Sequence, residues 1–177
     1  MLLTMLLAGT PSRGAEELKP LTLPPPHLTG GKPLMEALRD RQSQREFSTK
    51  PLELQLLSDL LWAAFGINRP GNNHRTAPSA MNSQEIDLYV ALADGVFVYN
   101  ADTHGLDPVA ADDLRRKTGG QGFVKVAPVA LVFVADLARM VKAKPDAKEP
   151  YAWVDTGFIS HNVYLYCASA GLATVVP

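Results

Sequence analysis

The segment VDTGFISHNVYLYCASAG, residues 154–171, has helical length and carries apolar residues on nearly every face. A helix without a wet face does not lie on the surface of a lone subunit. It is central to the fold or sits in a contact between subunits. Asp155 or Thr156 is placed to cap its start, and Gly171 to end it. Cys167, the single cysteine, falls inside this helix, where a buried packing thiol is expected. One cysteine excludes an intrachain disulfide and a cysteine-based zinc site. A chain of 177 residues, 46% hydrophobic, suits one domain with a sizeable core to surround such a helix. A formal net charge of −1 offers no electrostatic attraction to nucleic acid.

The partners of this helix are legible upstream. LMEALRDR, from Leu34, has helical spacing. Pro51 opens a second helix with apolar residues at 56, 57, 60, 61, 64 and 65, and Gly66 marks its stop. EIDLYVAL alternates Ile86, Leu88 and Val90 on one face, Asp94-Gly95 signals a hairpin, and VFVY returns. PVAADDLRRK reads as a short helix with Pro108 near its first turn, TGGQG as a flexible turn, and DAKEPYAW as a polar connection. APVALVFVAD, a continuous apolar run, suits a strand buried on both faces. LATVV reads as a last strand. This order predicts an α+β sandwich.

The N-terminal part reads differently. Leu2–Ala8 is an apolar run followed by small and polar residues, like the core and cleavage region of a secretory signal over residues 1–15. No Lys or Arg precedes it. It is too short to span a bilayer. The expectation is an exported, periplasmic or secreted protein, or a cytoplasmic one if this run is not a signal. Residues 16–33, with three consecutive prolines and a Gly-Gly pair, read as an extended tether outside the core. The folded domain is expected over 34–177.

Common catalytic sets are missing. There is no G-x-S-x-G, H-E-x-x-H or P-loop, and GGQG lacks the strand and helix of a dinucleotide fold. The histidines at 27, 74, 104 and 161 are scattered. Two segments remain. In RQSQR, Arg41 and Arg45 flank Ser43, and guanidinium forks with a hydroxyl suit phosphate oxygens. Two solvated surface arginines explain the same spacing. Asn68–Gln84 is a long loop ending in PSAMNSQ, and an amide such as Asn82 can read a heterocycle's carbonyl and N–H edge or simply make a turn.

R-x-S-x-R-x-F after a first helix, PSAMNSQ some forty residues later, and DTGFISHNVYLYCASAGLATVV together resemble the nitroreductase family of FMN enzymes over about Leu34 to Val176. LLWAAFGINR with RTAPSAMNSQE is more similar to the branch that contains azoline-oxidising dehydrogenases of peptide maturation and exported members. The resemblance implies a nitroreductase-like homodimer with FMN in the interface. Arg41, Ser43 and Arg45 would hold the ribityl phosphate. Pro78 and Ser79 would approach the ring from the neighbouring subunit, Asn82 would lie beside it, and Gln121 would reach the pyrimidine carbonyls. Backbone N–H groups near Thr156 and Gly157, at a helix N-terminus, would face the flavin N5 region. A cap, helix packing and a turn are the plain structural alternatives for Thr156, Gly157 and Gln121. The implied activity is two-step hydride transfer to a small-molecule or peptide acceptor, with no catalytic side chain and no metal. NAD(P)H is the family's usual donor, though an exported enzyme meets little of it. A flavin-binding module without turnover is the alternative. Family members continue past the position of Pro177 with another basic residue, so weaker FMN binding is expected of the chain as it stands.

Overall fold

Ala152, Asp155, Ile159, Val163 and Cys167 form a single buried stripe down a helix that runs from Pro145 to Ala170, here α3. The spacing is that of one helical face. The computed structural model describes residues 18–177; the export signal expected over 1–15 lies outside the described residues. The elements before α3 are β1 (Leu21–Thr22), α1 (Leu34–Asp40), α2 (Leu54–Phe65), β2 (Ile67–Arg69), β3 (His74–Arg75), β4 (Ile86–Leu92), β5 (Gly95–Asn100), β6 (Gly105–Ala110) and β7 (Ala130–Ala135). Five strands make one antiparallel sheet in the order β1-β6-β5-β4-β7, and β2 and β3 form a separate ribbon.

The core lies between this sheet and the pair α2 and α3. Leu57, Leu60, Leu61, Ala64 and Phe65 of α2 meet Ile159 and Val163 of α3 and the inward residues of β4, Ile86, Leu88 and Val90. Leu61, Val90 and Ile159 are wholly out of solvent, each contributing about 1.5–3 kcal/mol by burial. The expected α+β arrangement, a central antiparallel sheet flanked by helices, is the one observed. The hairpin at Asp94-Gly95 is also present, with Leu92 opposite Gly95. Gly95 has φ +152, and a Cβ there would meet the Ala110 carbonyl at 2.6 Å, so only glycine closes this turn.

Five local readings are corrected. Residues 105–110 are strand β6, so PVAADDLRRK does not form a helix; Arg115–Lys117 is a single 3-10 turn. Pro108 fits a strand because β1 pairs only with Gly105 and Leu106, leaving that edge free where Pro108 lacks its N–H. β7 is an edge strand, half-buried with Val134 and Ala135 exposed, and is not covered on both faces. Residues 146–153 are the first turns of α3, which Pro145 starts. Residues 172–177 form no strand. The proline-rich stretch is not a free tether: Leu21 pairs with Leu106, and Leu23 is 4% exposed in the core.

Candidate functional site

α1 ends where Arg41 turns extended, at φ −61 and ψ 120, with its N–H still bonded to the Ala37 carbonyl. The turn that follows is organised by Tyr164 of α3. The Arg41 guanidinium lies over the Tyr164 ring, 5.6 Å from its centroid. The Tyr164 hydroxyl is 3.0 Å from Ser43 Oγ and accepts the Val176 N–H at 2.9 Å. Gln44 N–H donates to the Thr174 carbonyl at 2.9 Å. Ser43 and Arg45 are exposed. Among the described residues no carboxylate pairs with either guanidinium; the nearby Asp40 is taken by Arg39 and Lys32, which hold its carboxyl below the usual range. Two uncompensated cations on either side of a hydroxyl are an anion-receiving arrangement.

The 78–85 segment is built on the other side of α3. Ser79 Oγ accepts the Gln84 N–H at 2.9 Å, and Ala80 N–H donates to Asp155 Oδ2 at 2.7 Å. Met81, Asn82 and Gln84 all lie in the left-handed region, at φ 55, 53 and 49. Each such non-glycine residue costs on the order of 1 kcal/mol, and strain of this kind gathers at functional loops. Gln84 supports the strained path: its side chain donates to the Asn82 side-chain oxygen and the Asn73 carbonyl, and receives Arg75 Nε at 2.9 Å. Pro78, Met81 and Asn82 are exposed on the resulting surface.

Gln121 is exposed, at the entry of a 3-10 turn over Gly122–Lys125. Thr156 and Gly157 are not where a helix N-terminus would put them. α3 starts at Pro145, with Lys144 in the N-cap position, so these N–H groups lie within the helix and not in its donor-rich first turn. Asp155 and Thr156 cap nothing. Gly157 is exposed, with nothing within 4 Å of where its Cβ would stand. It shares that open surface with Tyr151, Trp153, Val154 and Phe158, of which Trp153 is 70% exposed.

The two motifs are therefore joined through one helix. Asp155 holds the 78–85 segment and Tyr164 the 41–45 turn, nine residues or about 13 Å apart along α3. A cavity of about 580 Å³ adjoins the 41–45 turn, lined by Phe47, Phe123, Leu131, Phe133, Tyr164 and Cys167 among others. Cys167 is an inert lining group, since burial pushes its thiol up to about 12. None of the nine candidate residues lines this cavity, so one subunit does not collect them around one space.

Sequence reasoning missed Glu85. The strand alternation that buries Ile86, Leu88 and Val90 predicts Glu85 on the outer face. It is instead wholly buried, because the left-handed Gln84 redirects the chain just before β4 begins. Burial, reinforced by the neighbouring Asp155, raises its carboxyl above the ordinary value. A local sequence signal existed only in the glutamate's position directly before an apolar alternation.

The sequence model of the Nitroreductase family matches residues 38–176. A nitroreductase-family protein of Methanocaldococcus jannaschii is 32% identical over 152 residues, covering 80% of this chain and 76% of its own. A nitroreductase-family crystal structure from Ralstonia eutropha superposes with TM-score 0.86 at 45% identity, covering 99% of this chain and 82% of that one. The fold is shared more distantly with the Escherichia coli microcin synthetase McbBCD complex, solved with truncated pro-MccB17 bound (TM-score 0.63, 19% identity, 96% and 71% coverage). It is also shared with a Desulfovibrio desulfuricans nitroreductase-family structure in complex with FMN (TM-score 0.51, 20% identity, 80% and 65% coverage).

Proposed function

The chain belongs to the nitroreductase family, an oxidoreductase family, and on that premise we propose that it is an FMN-dependent oxidoreductase working as a homodimer. The observation that carries this reading is the 41–45 turn: Arg41 and Arg45, without carboxylate partners among the described residues, flanking an exposed Ser43 tied to Tyr164. These residues fit a phosphate. Arg41 is pre-oriented by the Tyr164 ring, and Ser43 by the Tyr164 hydroxyl, so little side-chain freedom is lost on binding. The related structure that carries FMN supports the choice of flavin.

The ring end of the site is assigned to the 78–82 segment of a second copy, with Pro78, Ser79 and Asn82 facing the flavin. The exposed Tyr151, Trp153, Val154 and Phe158 on α3 are the apolar surface that such a second copy would cover. Thr156 and Gly157 lie on or beside that surface, and Gly157 leaves it flat. Gln121 completes the set as a polar group for the pyrimidine edge. When bound, FMN supplies the electron chemistry, taking a hydride from a donor such as NAD(P)H and passing it to an acceptor. The protein's own residues bind, orient and exclude water. A small molecule or a peptide is the acceptor in this reading; the fold shared with a peptide-bound synthetase complex supports the second class. Export is part of the same proposal and rests on the apolar Leu2–Ala8 run. No helix among the described residues is long and apolar enough to cross a membrane.

The test is the double substitution Arg41→Gln with Arg45→Gln, with the oligomeric state checked by sedimentation. Both side chains are at the surface of a turn, so the fold is expected to survive. FMN retention should weaken by about 100-fold, the loss of two charge-assisted contacts. Unchanged flavin occupancy in an intact dimer would sink the assignment.

A further inference from the structure

Both carboxylate oxygens of Glu85 are buried and have no hydrogen-bond partner among the described residues. The group acting on them is the carboxyl of Asp155, itself only 3% exposed. Two carboxylates side by side out of water repel each other and lose their hydration. The arrangement is stable when one proton lies between them. Asp155 already accepts the Ala80 N–H at 2.7 Å, which favours negative charge on Asp155 and leaves the proton to Glu85.

We propose that Glu85 and Asp155 share one proton, held on the Glu85 side, and that this acid pair positions the 78–84 loop on α3. Glu85 is then a positioning residue, acting through Asp155 and the Ala80 N–H. The loop needs such a hold: Met81, Asn82 and Gln84 are all in the left-handed region, and a loop that strained keeps its shape only when its surroundings over-determine it.

The other charged groups around the pair are accounted for. Arg139, in the turn after β7, attracts an ionised Glu85. It is already engaged by Asp87 of β4 at 2.5 Å and by Asp136 at 3.3 Å, and it donates to the Gln84 carbonyl at 3.0 Å. Arg75 of β3 spends its guanidinium on Gln84 and the Phe65 carbonyl. Asp155 is the acid that α3 presents. Arg139 therefore limits how far the Glu85 carboxyl rises, and Asp155 with burial drives it upward. As pH climbs, Glu85 ionises, the pair turns repulsive, and the loop loosens from α3.

The pair itself stands on this geometry; its consequence for FMN rests on the flavin reading above. The test uses the full chain with isotope-labelled alanine, following the Ala80 amide resonance from acid to mildly alkaline pH. In the wild type the resonance should titrate with a midpoint above the ordinary value of 4.5. In Glu85→Gln, whose amide donates to Asp155 at every pH, that titration should vanish. In Asp155→Asn the midpoint should move down toward the ordinary value. An Ala80 resonance that does not titrate above the ordinary range, or that titrates alike in wild type and E85Q, overturns the shared proton. FMN retention is then read on the same samples. It should fall about tenfold across the wild-type midpoint and stay level in E85Q, as expected for losing the hold on one binding loop. An amide that titrates as described while bound FMN is retained equally at every pH would uphold the acid pair and count against contact between the 78–82 segment and FMN, whereas a protein that retains no FMN at any pH would count against the flavin reading.

Discussion

Two buried polar clusters of this fold obey opposite rules. At the β1 side, Ser58, His104 and Tyr99 close a chain of hydrogen bonds. Ser58 Oγ has one proton and gives it to the Pro24 carbonyl at 2.5 Å, which can only accept. His104 Nε2, 2.7 Å away, must therefore be the donor to Ser58 Oγ. Its Nδ1 then accepts the Tyr99 hydroxyl at 2.9 Å. Every member is satisfied, and the chain runs in one direction through a neutral imidazole. At the β4 side, Glu85 has two buried oxygens and no hydrogen-bond partner among the described residues, with a second acid beside it. The first cluster fastens the proline-rich strap onto α2 and β6. The second lies under a strained loop of the candidate site. Full satisfaction goes with a structural seam, and an uncompensated group goes with a surface that has another task.

The two clusters also respond to pH with opposite signs. Burial holds His104 below its ordinary value of 6.5. The unfolded chain then binds more protons than the native one just below that value, so this seam is fully stabilising above 6.5 and weakens as pH falls through the lowered folded value. Glu85 is raised, so the native state binds more protons than the unfolded one above 4.5, and stability declines as pH rises through that window. The first window opens downward from 6.5 and the second upward from 4.5, so substitutions at each cluster separate the two contributions.

The largest effect is expected at the closed cluster. His104→Ala leaves the buried Tyr99 hydroxyl without its acceptor, takes from Ser58 Oγ the donor on its lone pair and empties the space of the ring, and should cost about 3 kcal/mol in urea unfolding, a drop in Tm of roughly 10 °C. A loss under about 1 kcal/mol would show that water replaces the imidazole and that the seam is not closed in solution. Tyr99→Phe removes only the last donor and should cost about 1.5 kcal/mol. It should also flatten the acid limb of the stability profile, because His104 Nδ1 becomes free to take a proton. An unaltered acid limb would contradict the donor order derived above. The smallest change has the opposite sign. Glu85→Gln should raise stability by about 1 kcal/mol at mildly alkaline pH and leave it unchanged near the ordinary carboxylate range, since only the ionised acid is penalised. Equal Tm gains at both pH values would mean that packing, not charge, distinguishes glutamate from glutamine at this position.

The comparison also marks which parts of the molecule were legible. α2 was, because its apolar residues repeat at helical spacing over three turns and its burial follows that repeat. β4 and β5 were, because an Asp-Gly turn between alternating runs has few other solutions. The strap was not: three prolines look like a linker, and only the free edge of β6 and the Ser58 hydroxyl turn Leu21–Pro24 into part of the fold. The start of α3 was not, because Pro145 and Pro150 with Asp146, Lys148 and Glu149 mask a helix that burial of Ala152 and Asp155 extends. At the candidate site, Arg41, Ser43 and Arg45 could be named from residue type and spacing. Their support by Tyr164, 121 residues from Ser43, could not.

The sequence by itself determined the elements that rest on local periodicity, and the family, whose motifs are short runs of adjacent residues. Those signals depend on neighbours within a few positions, which the chain carries with it wherever it folds. Tertiary structure decided which polar groups ended up buried with partners and which without, and how deep α3 reaches. Desolvation and pairing depend on atoms from distant segments, so the same glutamate is a solvated surface acid or a proton-holding one according to what packs across from it.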